Sequence, residues 1–212
     1  MRSKIVEEAL EVIPRARFLW PSEPIFLAYA DEPSPLGDSG QTITAPHMVV
    51  LMLESLELAS GNRVLEIGCG SGYNAALMGW IVSRGSRVIG EPLVISIERN
   101  DDLANFARKN IQLVGLSGIV KVISGDGSLG YPQGSRDEIY DRILVAAAAP
   151  RVPTTLKRQL KDEGIMEVPV GGDTYQTLTK LKKKGTGEKA VFETTNIVEC
   201  AFVPLIGAEG FK

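Results

Sequence analysis

The sequence predicts an α/β fold: a doubly wound, mostly parallel sheet with an N-terminal helical segment and an antiparallel C-terminal addition. Three observations carry this reading. Short apolar runs alternate with helical spans through the middle of the chain, the pattern of right-handed βαβ units. The first run ends in a glycine-rich turn, EIGCGSGY, that opens a helix. Past residue 170 the pattern changes to strand-like runs around another Gly-rich turn. At 212 residues the chain is long enough to bury a large core. It is read as one domain: a helical and cover segment over 1–60, an α/β core over 61–170, and added strands over 171–212.

The elements follow in order. Ile5, Val6, Ala9, Leu10 and Ile13 have helical spacing, and Pro14 stops that helix. Residues 14–43 are rich in Pro, Gly, Asp and Ser and read as an irregular segment covering something else. A second helix starts at Pro46, where the missing N–H costs nothing, and runs to about Leu58. Val64, Leu65 and Ile67 form a buried strand, followed by the glycine turn and a helix from Tyr73. LVISI is the second strand and ends at Glu98; the next helix, DDLANFARKNIQLV, has an aspartate suited to capping it. IVKVISGDG and DRILVAAA are the third and fourth strands. A helix over Pro153–Leu160 leads to a fifth, GIMEVPVG, and TYQTLTKLKKKGTGEKAVFETT and IVECAFVPL supply three further strand-like runs.

Net charge is −3 with a pI near 5.4, which disfavours nucleic acid as a partner. No apolar run approaches the ~20 residues of a membrane span, and the charged N-terminal stretch is unlike a signal peptide. A cytoplasmic location is expected. Cys69 and Cys200 are far apart and His47 is the only histidine, so neither a disulfide framework nor a His/Cys metal site is expected.

The glycine turn locates a ligand. Gly68, Gly70 and Gly72 follow a buried strand and open a helix, where a missing Cβ allows a sharp turn and close approach. The spacing is GxGxG, not the GxGxxG of dinucleotide binders, and the acid Glu66 precedes it. A carboxylate there suits a cationic ligand better than a pyrophosphate. The amino-acid end and sulfonium of S-adenosylmethionine fit. An acid at the end of the second strand should hold the ribose. Glu91 lies at the usual ~20-residue distance, but Pro92 follows it, and LVISI running into Glu98 is the better strand. Glu98 is therefore favoured, at the cost of a longer connection over Ser83–Leu93. Asp126 and Gly127 end the third strand, where a carboxylate can accept from an adenine amino group.

Nearly end to end, the chain resembles the protein-L-isoaspartate O-methyltransferases. The residues that carry this are VEEALEVIPRARFL, GQTITAPHM, RVLEIGCGSGY, SIERNDDLANFARKNI, GDGSLGYP, YDRILVAAAAPRVP, QLKDEGIMEVPVG and FVPLIG. The resemblance implies a class I methyltransferase fold, S-adenosyl-L-methionine as cofactor, and isoaspartyl-containing proteins and peptides as substrates. The α-carboxylate is methylated, and the ester closes to a succinimide whose hydrolysis partly restores aspartate. It implies cofactor contacts from Thr42, Ile43, Thr44, Ser71, Glu98, Arg99, Asp126 and Gly127, beside the loop residues Glu66, Gly68, Cys69, Gly70 and Gly72. The family's active-site hydroxyl falls on Thr44, where serine is more usual. Glu163-Gly164 stands where a Gly pair is common. A monomer is expected.

The acceptor carboxylate is ionised at pH 7, with an ordinary pKa of about 4, so no general base is needed. Thr44 is expected to orient it through a hydrogen bond. His47 and Ala148 are expected near the substrate, although a His in a first helical turn more often packs locally. The competing reading is a class I methyltransferase acting on RNA or a small molecule; no DPPY-like or NPPY-like block is present.

Overall fold

The computed structural model describes residues 3–85, 91–135 and 137–212. The Ser83–Leu93 connection therefore lies partly outside the described residues. The helices are α1 (Lys4–Val12), α2 (Pro46–Ser55), α3 (Tyr73–Ser83), α4 (Asp101–Leu113) and α5 (Thr154–Gln159). The strands are β1 (Ser34–Pro35), β2 (Thr42–Ile43), β3 (Val64–Ile67), β4 (Val94–Glu98), β5 (Val120–Ser124), β6 (Tyr140–Val145), β7 (Leu160–Gly171), β8 (Gln176–Lys184) and β9 (Val191–Cys200).

The main sheet has the order β5-β4-β3-β6-β7-β8-β9. Pairing is parallel from β5 to β7 and antiparallel from β7 to β9. The chain leaves β3 toward one edge and returns to β6 on its other side. That reversal opens a crevice at the carboxyl ends of β3, β4 and β6, where open α/β sheets bind ligands. Every residue of β3 and β4 is buried, as strands covered on both faces require. Alternation divides β3. Val64 joins a core with residues of α1 to α4, while Leu65 and Ile67 join a core with Leu156 of α5.

Four expectations change in detail. The cap of α4 is Asn100, whose side chain accepts from Asp102 N and Leu103 N; the aspartates lie in the first turn. The fourth strand ends at Val145, because Ala148 and Ala149 bond to the C-terminal segment and to β7 instead. The runs FETT and IVEC are one strand, β9, with a register shift opposite Leu178 and Thr179 that absorbs the break. The second helix stops at Ser55, three residues early, and Glu57 follows with φ +53°. Glu163, in the Glu-Gly pair, has φ +58°, a backbone that favours glycine. Its exposed carboxylate meets Lys182 and Lys184.

Residues 14–43 are irregular, as expected, but firmly packed. Phe18 is wholly buried against Tyr73, with ring centroids 5.2 Å apart. Trp20 lies on Phe106 at 4.9 Å. The buried Arg15 guanidinium ties the segment together: it donates to the carbonyls of Leu27, Glu32 and Thr44 and to Ser34 Oγ. Burial lowers its pKa, and those acceptors compensate for the lost water.

Candidate functional site

At the crevice lies a cleft of about 280 Å³. Its floor is the turn after β3, where Gly68, Gly70 and Gly72 take φ values of +88°, +53° and +86°. Side chains are strained in that region, and a Cβ on Gly68 would press on the Ala146 carbonyl oxygen at 3.3 Å. Gly68 N and Cys69 N donate to Ile97 O, fixing the turn to β4. The segment Ser39 to Thr44, together with Ala146, Ala147 and Val203 to Ile206, completes the lining.

The cleft gathers Thr42, Ile43, Thr44, Gly68, Cys69, Gly70, Ser71, Glu98, Arg99 and Gly127 from the expected site. Glu98 is 2% exposed, with Oε2 accepting from Gly70 N at 2.8 Å and Oε1 from Asn100 N at 2.9 Å. The rival Glu91 has its side chain 77% exposed and pairs with Arg63 on the surface.

Five expected residues do not line the cleft. Gly72 is the N-cap of α3, and its bare Cα lets Ala107 of α4 pack close. Glu66, two residues along β3 from Val64, is wholly buried and accepts from Ser96 Oγ. Asp126 is taken up by the C-terminal segment: Oδ1 accepts from Ser128 N and Oγ, and Oδ2 from Ala208 N at 2.8 Å. Ala148 is buried and bonds through its backbone to Val203 O and Leu205 N, so Ala146 and Ala147 face the cleft in its place. The His47 side chain is 59% exposed; its N and Nδ1 both meet Asp31 Oδ1 at 2.9 Å. The backbone N–H of His47, above all, holds the Asp31 carboxyl below its usual range. This is local capping, since the aspartate satisfies an orphan N–H of α2.

Sequence reasoning missed the C-terminal wall and Asn74. FVPLIG was visible as a block, but not its return to the cleft. Glu209 fixes that return: its carboxylate accepts from Thr155 N and Oγ1, and its N–H donates to Ser128 Oγ. Asn74, in the first turn of α3, lines the cleft at 8% exposure, and its buried Oδ1 meets no donor in the protein. Such an acceptor calls for a ligand donor or water.

Burial pushes the Glu66 carboxyl up to about 8; the Ser96 hydroxyl opposes this in part, and Glu98 adds to it. Burial likewise pushes Glu167, beside Ser55, to about 8. Both therefore hold a proton in the folded chain at pH 7. Because the folded pKa exceeds the ordinary 4.5, each group's stabilisation is full below pH 4.5. It falls as pH rises through 4.5 to 8 at up to about 1.4 kcal/mol per pH unit. Glu66→Gln is expected to remove that share of the slope, so the variant gains on the parent between pH 5 and 8. Denaturant midpoints across that range measure it; parallel profiles would mean that Glu66 is ionised in the fold.

The sheet order, glycine loop and strand-end acid define a class I S-adenosylmethionine-dependent methyltransferase. A model of the protein-L-isoaspartate(D-aspartate) O-methyltransferases matches residues 1–210, and the chain belongs to that family. It is 45% identical over 212 residues to the protein-L-isoaspartate O-methyltransferase of Methanopyrus kandleri, covering all of this chain and 88% of the relative. Identity to that of Staphylothermus marinus is also 45%, over all of this chain and 90% of the relative. Among solved structures, one described as the Plasmodium falciparum enzyme in complex with S-adenosyl-L-homocysteine superposes with TM-score 0.82 at 25% identity. The match covers 97% of this chain and 92% of that one.

Proposed function

We propose that this cleft methylates the α-carboxylate of L-isoaspartyl residues in damaged proteins and peptides, with Thr44 orienting the acceptor. The observation that supports the residue assignment is that Thr44 lines the same cleft as the glycine loop and Glu98. The residues fit the cofactor. Glu98 offers carboxylate lone pairs to a ribose, Gly68 and Gly70 offer bare backbone, and the unpartnered Asn74 Oδ1 offers an acceptor to an ammonium. S-adenosylmethionine, bound there, supplies a methyl group activated by a positively charged sulfur.

The chain's own part is to bind, orient and exclude water. Thr44 donates a hydrogen bond to one acceptor oxygen, and the small Ala146 and Ala147 leave room opposite. The apolar Val203 to Ile206 wall keeps water from the carboxylate. No side chain needs to take a proton, which accords with a site holding no histidine. Asp126 acts on the cofactor through Gly127 and the C-terminal segment it anchors. The enzyme works as a single-domain monomer in the cytoplasm.

The test is incubation with labelled S-adenosylmethionine and an isoaspartyl peptide beside its normal aspartyl twin. Base-labile label on the isoaspartyl peptide alone is the expected result. Transfer to neither peptide, with transfer to RNA or a small acceptor, would overturn the reading.

A further inference from the structure

A carboxylate inside a cleft of about 280 Å³ is a small part of a polypeptide. The flanking residues must lie on the rim. One exposed turn, joined to the Thr44 backbone through Arg15, is unusual. The 3-10 turn Ile25–Ala28 and the residue after it expose Ile25 at 65%, Phe26 at 63% and Tyr29 at 80%. Large side chains so exposed, three within five residues, leave apolar surface in water that a partner can cover.

The turn is held rigidly. Ala28 is buried and Leu27 packs on the core, so the neighbouring side chains are directed outward. Arg15 Nη1 donates to Leu27 O, while Nη2 of the same guanidinium reaches Glu32 O, Ser34 Oγ and, at 3.4 Å, Thr44 O. One planar group thus spans from the turn to the backbone of the residue at the acceptor position. Asp31, two residues past Tyr29, is bound to His47, three past Thr44. The apolar turn is thus tied through Arg15 to the segment that ends in Thr44 at the cleft, and the Asp31 carboxylate beside it is already paired.

We infer that Ile25, Phe26 and Tyr29 form a docking surface for apolar residues flanking the isoaspartyl site in an extended substrate chain. This rests on the methyltransferase reading above and adds a sequence preference to it. Burial of apolar side chains against rigid aromatic rings favours binding without touching the chemistry. The surface therefore acts on KM for the peptide, not on kcat, because it binds ground state and transition state alike.

The test uses the full chain and the double variant Phe26→Ser/Tyr29→Ser with two isoaspartyl peptides. One carries Leu and Phe flanks, the other Ser and Gly in the same places. The expected result is that the wild type prefers the apolar-flanked peptide. The variant should raise KM for that peptide about tenfold, as loss of a buried aromatic contact would. KM for the Ser/Gly peptide, both kcat values, cofactor affinity and the thermal midpoint should stay put. The conservative Phe26→Leu/Tyr29→Phe should keep the preference. Equal KM changes for both peptides, or no change in either, would overturn the proposal. So would a wild-type dimer that the variant splits with KM unmoved, which would assign the patch to a second copy. If the wild type methylates neither peptide, the activity reading itself falls, and this proposal with it.

Discussion

Replacing Thr44 by alanine is expected to lower kcat on an isoaspartyl peptide about a hundredfold, the scale for removing one oriented donor from a reacting oxygen. Cofactor affinity should hardly move. The geometry makes the substitution clean. Thr44 is fixed through its carbonyl, which accepts from Arg15 at 3.4 Å, and through Ala45 beside it, which is buried. Neither restraint uses the hydroxyl. Alanine therefore removes one donor and leaves the wall of the cleft standing. Thr44→Ser should retain activity within a few-fold, since the hydroxyl survives and only the β-branch, which restricts χ1, is lost. Single-turnover rates at saturating cofactor and peptide measure both variants. Near-parental turnover in Thr44→Ala would assign the orienting donor to Ser71 or the backbone of the glycine loop instead.

What the sequence disclosed follows the range of the interactions. Glu98 could be preferred to Glu91 locally, since a β-run precedes one and a proline follows the other, and the structure puts Glu98 at the cleft and Glu91 on the surface. The inward face of Glu66 was legible too. It sits two residues from Val64, so strand alternation sends both to one face of the sheet. Asp126 differs. One of its two main-chain partners, Ala208, is 82 residues away, and no local pattern announces such a contact. The same holds for Glu209, which meets Thr155 across 54 residues. The cover segment was recognised by composition alone; its order comes from one buried arginine whose acceptors are spread from Leu27 to Thr44.

Removing the Glu98 carboxylate is expected to do the reverse of removing the Thr44 hydroxyl. Hydrogen bonds to a charged group contribute about 1.5–3 kcal/mol each. Losing the ribose contacts should therefore weaken cofactor binding by about a hundredfold or more. Calorimetric titration with S-adenosylhomocysteine reads this directly. Glu98 also holds Gly70 N and Asn100 N, so alanine leaves two partly buried donors short and stability falls as well. The two effects separate by kinetics. Glu98 stands at the end of β4, and the acceptor residue Thr44 comes from a separate segment of the chain, just past β2. With cofactor raised to saturation, the methylation rate of Glu98→Ala should recover most of its parental value, whereas Thr44→Ala stays slow at any cofactor concentration. Glu91→Ala, exposed and paired only with Arg63, should leave binding unchanged. If it weakens binding as much as Glu98→Ala does, the ribose acid has been misassigned. If Glu98→Ala remains slow at saturation, the carboxylate shapes the loop for catalysis as well as for binding, because Gly70, which Glu98 holds, lies close to the backbone of Thr42 beside the acceptor residue.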